Sequence, residues 1–215
     1  ENLVAFEDVD PNRVYVMGYS AGGDGVYQIG PRMADRWAAA AMMAGHPNDA
    51  SPLGLRNIGF ALHMGANDGA YKRNEVARQW KARLAELQAA DPEGYQHQAV
   101  IHEGKGHWMG LQDAIAVPWM AEFTRNPHPH QIVWQQDDVT QPRFYWLAVE
   151  PGSAKKGAIL RAQVEGQVID LNSDDVSDLR LLLHDELIDL DQPVVIRFNE
   201  KEVYSGQVKR TIADL

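Results

Sequence analysis

The chain reads as an α/β protein with a parallel sheet, followed past residue 126 by a β-rich module. Three observations carry that reading. Short apolar and β-branched runs alternate with helical patterns between residues 13 and 125, the signature of βαβ units. Each of those runs closes on a glycine-containing turn. Beyond Asn126-Pro-His-Pro-His130 the helical period disappears and short strand-like runs remain. The expected division is a core over 1–126 and a β-rich accessory module over 127–215.

Glu1-Asn-Leu-Val-Ala-Phe6 has no basic stretch and no cleavage signal, so it is not a targeting peptide. It reads as the last turns of an amphipathic helix with Leu3, Val4 and Phe6 on the packed side, and the chain is expected to begin inside a fold. Asp10-Pro-Asn12 is a turn, and Arg13–Gly18 a buried strand. After Ser20-Ala-Gly-Gly23 a helix is expected through Val26, Ile29 and Met33, ending near 34–36. Ala38–Ala44 and Ile58–Met64 are the next strands, with a Pro/Gly/Asn-rich loop between them. Val76, Trp80, Leu84 and Leu87 recur at helical spacing and predict a helix over 72–90, stopped by Asp91-Pro-Glu-Gly94. Tyr95–Glu103 follows as a strand, and His107–Arg125 as a helix bent near Pro118.

In the second part, strands are expected at Ile132–Trp134, Phe144–Val149, Ala158–Val164, Leu179–Leu183 and Val194–Phe198. The last is expected to turn at Asn199-Glu-Lys201 into a hairpin with Val203–Val208. Short strands between turns predict a small antiparallel module, with Phe144-Tyr-Trp146 in its core.

Composition narrows the partners. The formal net charge of −10, with no local Lys/Arg cluster, repels phosphate backbones and argues against nucleic acid. The longest apolar run, Trp37–Ala44, is far short of a membrane span. With no cysteine in the chain, disulfides, thiolate metal sites and cysteine nucleophiles are excluded, and the compartment stays open.

The chemistry gathers on three turns. Gly18-Tyr-Ser-Ala-Gly22 matches G-x-S-x-G between a predicted strand and a predicted helix, the setting of a nucleophilic serine on a strained turn. Small residues at Gly18 and Gly22 are expected to admit close backbone approach. The backbone N–H of Ala21, at the helix start, is the expected oxyanion donor. A serine hydroxyl needs a base. Among eight histidines His107 follows a strand and a Gly-Lys-Gly turn, which places it at the carboxyl edge of the sheet; His46 is the second choice. Asp68, in Gly65-Ala-Asn-Asp-Gly69, is the expected acid, with Asp49 as competitor. Tyr19 and His46 are candidates for bordering the substrate. His63 reads as a packed or hydrogen-bonded core residue, while His97, His102 and His184 show no functional context. His128 and His130 read as a solvated linker without a third metal ligand. A serine, histidine and carboxylate need no metal or organic cofactor, and none is expected.

Gly18-Tyr-Ser-Ala-Gly-Gly23, Met64-Gly-Ala-Asn-Asp68 and Gly104-Lys-Gly-His107, in that order, resemble the C-terminal half of an α/β-hydrolase. The resemblance is to the branch of carboxylesterases, phospholipase/carboxylesterase-like and polyhydroxyalkanoate depolymerase-like esterases. It implies acyl transfer to water through a serine acyl-enzyme, on a small-molecule or lipid-like ester. It also implies that the early strands and a second oxyanion donor precede Ser20, so a preceding segment or a second chain is expected to complete the fold. The tail resembles a β-rich extension of some bacterial members. Two other readings share these residues: a serine peptidase of the prolyl-oligopeptidase kind, and a non-catalytic binding protein on a hydrolase fold.

Overall fold

The structure, a computed structural model, describes residues 6–136, 142–150, 152–176 and 178–210. The expected terminal helix turns at 1–5 lie outside the described residues, and Phe6 is 82% exposed rather than packed. The chain divides into two compact units, 1–126 and 127–215.

The first unit is built on a parallel sheet of four strands: β1 (Tyr15–Tyr19), β2 (Ala39–Met43), β3 (Gly59–Gly65) and β4 (His97–His102), in that spatial order. Pairing runs from Tyr15 opposite Ala39, through Ala39 opposite Gly59, to Phe60 opposite His97. Parallel strands need long crossovers. Helix α1 (Ala21–Arg32) joins β1 to β2, a loop with a 3₁₀ turn at Pro52–Asn57 joins β2 to β3, and α2 (Arg73–Ala90) joins β3 to β4. All residues of β2 and β3 are buried, which explains their Ala, Met and Gly content: both faces are covered.

One face packs against the helices. Tyr27 of α1, Phe60 of β3 and Trp80 of α2 meet there, with Tyr27 and Trp80 edge-to-face at 4.5 Å. Of the stripe expected in α2, Trp80 and Leu84 are buried together with Ala77, while Val76 and Leu87 are half-buried. In α1, Val26, Tyr27, Gly30 and Pro31 turn inward, whereas Ile29, expected on the packed stripe, is 37% exposed. The opposite face carries Ala39, Ala41, Met43 and Ala61 against Met109, Ala116 and Met120.

The long helix expected over 107–125 does not form. A 3₁₀ turn at Gln112–Ile115 leads into the short helix α3 (Ala116–Met120), which contains Pro118. Gly110 and Leu111 both have positive φ, 65° and 61°, and this breaks any helix running from His107. Leu111, Ile115 and Val117, apolar residues that a packed helix would bury in part, are 68%, 49% and 49% exposed.

The second unit holds a five-stranded sheet formed by β5 (Gln131–Gln135), β8 (Ile159–Glu165), β9 (Val168–Asn172), β11 (Val194–Phe198) and β12 (Lys201–Gly206). A smaller antiparallel sheet comprises β6 (Arg143–Phe144), β7 (Leu147–Ala148) and β10 (Arg180–Leu181). The larger sheet is not wholly antiparallel: β9 and β11 run parallel, Val168 opposite Val195. The expected strand Phe144–Val149 is instead a tight hairpin turning at Tyr145, whose φ is 54°. Of the expected 179–183 strand, Arg180–Leu181 forms the ladder, and Leu182 N–H donates to the Trp146 carbonyl at 2.8 Å. Trp146 is fully buried, and its indole N–H donates to the Pro129 carbonyl at 2.8 Å. Among the described residues, no helix is long and apolar enough to cross a membrane.

Candidate catalytic site

Because β1, β3 and β4 are parallel, the loops that leave their C-terminal ends emerge on one edge of the sheet, where ligands bind in open α/β folds. Those loops carry Ser20, Asp68 and His107.

Ser20 stands between β1 and α1 with φ 57° and ψ −119°, a backbone conformation that a non-glycine residue holds only under constraint. Its N–H donates to the Met43 carbonyl at 2.9 Å, and its own carbonyl accepts the N–H of Asp24 at 2.9 Å, the first turn of α1. The turn is closed so tightly that a Cβ on Gly18 would lie 2.1 Å from the Gly22 oxygen. A Cβ on Gly22 itself would meet nothing within 4 Å, so only the first glycine of the motif is sterically required. Ala21 opens α1, where backbone N–H groups have no acceptor within the helix.

The Asp68 and His107 loops are laced together. Ala66 N–H donates to the His102 carbonyl at 3.0 Å and Asn67 N–H to the Lys105 carbonyl at 2.8 Å. A Cβ on Gly65 would sit 2.0 Å from the Gly106 oxygen, so the two loops touch through bare backbone. Asp68 is only 3% exposed. Its Oδ2 accepts the Nδ1–H of His107 at 2.7 Å, and His107 Nε2 accepts the Ser20 hydroxyl at 2.9 Å. An ionised carboxylate only accepts, and this assigns the His107 proton to Nδ1 and frees Nε2 as a base. Arg73 Nη1 stands 3.8 Å from the other carboxylate oxygen, too far for a hydrogen bond.

Tyr19 donates its hydroxyl to the His107 carbonyl, and its ring meets the imidazole edge-on at 5.7 Å. Burial, the largest influence, raises the phenol above its ordinary value and keeps it a donor. In this arrangement the hydroxyl fastens the histidine loop. His46 makes no bond to Ser20 or Asp68; its N–H donates to Asp24 Oδ1 at 2.6 Å. It lines a cleft of about 610 Å³ together with Asp24, Asn48, Tyr71, Lys72 and Arg73. Asp49 is 54% exposed and lies 3.5 Å from Arg32, away from His107. Arg73 went unnoticed in the sequence. A cation in the first turn of a long helix, where the dipole disfavours it, was the available signal.

His63 is buried as expected, and His102, without context in the sequence, is its partner: His63 Nδ1 is 3.1 Å from His102 Nε2, and its Nε2 is 3.1 Å from Gln98 Oε1. Burial above all, and then His102, pulls His63 down to about 4. Within the second unit His128 meets His184 and Glu186, not His130; the ligand atoms of this trio lie within 4.8 Å of one another, a group that could hold a metal ion. Its two imidazoles are stacked at 4.3 Å with planes 8° apart. His128 Nδ1 is 3.1 Å from Glu186, and His184 Nδ1 accepts the Glu186 N–H at 3.1 Å.

No protein-family model matches the chain. No curated protein matches it in sequence either. Among solved structures, a crystal structure of a thermostable esterase is similar, at 20% identity and a TM-score of 0.47, over 58% of this chain and 34% of that one. The match thus spans about a third of that protein's length. A likeness this loose carries no weight for substrate or mechanism, and the site's geometry stands by itself.

Proposed function

We propose that this chain is a serine hydrolase of α/β-hydrolase type that cleaves carboxylic esters through an acyl-enzyme. The observation that supports this most is the unbroken relay from Ser20 Oγ to His107 at 2.9 Å and from His107 to the buried Asp68 at 2.7 Å. As the Ser20 oxygen attacks the ester carbonyl carbon, His107 Nε2 takes its proton. The imidazolium so formed is held by Asp68, whose burial strengthens the attraction. The carbonyl oxygen becomes an alkoxide, and the donor assigned to it is the N–H of Ala21, the first residue of α1. The tetrahedral intermediate collapses with loss of the alcohol, which takes the proton from Nε2. Water then attacks the acyl-serine, His107 acting first as base and then as acid, and the carboxylic acid leaves.

The test compares p-nitrophenyl butyrate with a peptide p-nitroanilide for the unaltered chain, Ser20→Ala and His107→Ala. Ester turnover that falls at least about 10³-fold in both variants supports the reading. Faster amide turnover would move the assignment to a peptidase. Ester turnover unchanged in Ser20→Ala would refute it.

A further inference from the structure

The cleft lined by His46 flanks the proposed triad, and its least settled member is Arg73. This side chain is only 13% exposed, yet its one ion pair among the described residues, to Asp68 Oδ1, is 3.8 Å long. Its Nε is buried and has no hydrogen-bond partner among the described residues. The guanidinium lies over the Tyr71 ring, 4.9 Å from its centroid. Burying a cation without hydrogen-bonded compensation is unfavourable, and such groups normally meet an anion. Asp68 supplies charge from a distance, but its Oδ2 is committed to His107.

The segment that presents this arginine is itself constrained. Tyr71 and Lys72 are consecutive non-glycine residues in left-handed conformation, φ 54° and 58°. Backbone held in this way clusters at ligand-binding segments. Here it places two consecutive cations, Lys72 and Arg73, on the wall of the cleft at the start of α2, where the helix dipole disfavours both. The acidic residue of the cleft, Asp24, is fixed by the N–H of His46. In a chain of net charge −10, Lys72 and Arg73 set two adjacent cations against one acidic lining residue, Asp24, and their wall of the cleft is the part that favours an anion.

Resting on the hydrolase reading, we propose that this cleft is a substrate subsite for a carboxylate, held by Arg73 and Lys72, so that the preferred ester carries a negative charge close to the scissile bond. A carboxylate can enter on either side of the ester, and matched substrates separate the two. On the acyl side, mono-p-nitrophenyl glutarate is compared with p-nitrophenyl pentanoate. On the alcohol side, 4-acetoxybenzoate is compared with its methyl ester.

The expected result is at least tenfold higher kcat/KM for the charged member of one pair, an advantage that shrinks as salt rises from 20 mM to 500 mM. In Arg73→Gln and Lys72→Ala that ratio falls toward one, the ratio being read so that a general loss of activity cancels. Hydrolysis of the neutral esters with no preference for either charged partner would overturn the subsite while leaving the hydrolase standing. A ratio unaltered in both variants would overturn the assignment to these residues. Turnover of neither pair would overturn the hydrolase and the subsite together.

Discussion

Replacing Gly18 by alanine places a methyl 2.1 Å from the Gly22 oxygen and 2.4 Å from its carbonyl carbon. Non-bonded carbon contacts settle at about 3.5 Å, so the end of β1 and the first turn of α1 must part by roughly 1 Å. Ser20 sits within that turn, and its hydroxyl is held 2.9 Å from His107 Nε2. A displacement of about 1 Å in a reacting group costs on the order of 10²-fold in rate. Crowding of well-packed backbone should also remove about 1–3 kcal/mol of stability. Gly22→Ala is the matched control: its new methyl meets nothing within 4 Å, and the site is helical. Alanine there should leave kcat/KM within about threefold and add about 0.5–1 kcal/mol of stability. Both variants are assayed on p-nitrophenyl butyrate and unfolded in urea. If Gly18→Ala is as active as the parent, or Gly22→Ala is equally damaging, the steric account of the motif is wrong.

Two further perturbations reach outside the relay. Arg56, 8% exposed, donates to both oxygens of Asp91 at 2.7 and 3.0 Å just past the end of α2. Arg56→Ala should cost about 2–3 kcal/mol in urea unfolding, because the partly solvated Asp91 loses its partner; a change under about 0.5 kcal/mol would contradict this. His63 is neutral in the fold and held down to about 4, so the unfolded chain binds its proton first as pH falls below about 6.5. Its contribution is complete above that value and is lost between about pH 6.5 and 4, about 3 kcal/mol in all. Stability measured across that range should flatten in His63→Gln. An equal slope in parent and variant would refute the assignment.

The parallel core was legible because each strand is a short apolar run and each crossover carries its own signal, such as Val76, Trp80, Leu84 and Leu87 in α2. The three turns that carry Ser20, Asp68 and His107 were legible for the same reason, since each follows a recognisable strand. The segment after His107 misled because its apolar residues imitate a helical stripe while Gly110 and Leu111 adopt positive φ. Strand β9 escaped notice because Asp170 and Asn172, its exposed residues, are turn-forming types that interrupt the buried Ile169 and Leu171. Arg73 was only half legible: its charge in the first turn of α2 is plain in the sequence, but its low exposure and an Nε without a partner among the described residues belong to three dimensions.

The proposed chemistry requires an activated nucleophile at Ser20. A fluorophosphonate probe reacts with a serine only when a base withdraws its proton and an oxyanion site receives the phosphoryl oxygen. The protein is treated with the probe and read by intact mass and peptide mapping. A single adduct on Ser20, absent in His107→Ala and slowed in Asp68→Asn, is the predicted result. Folded protein that takes no adduct, or takes it elsewhere, would contradict the account.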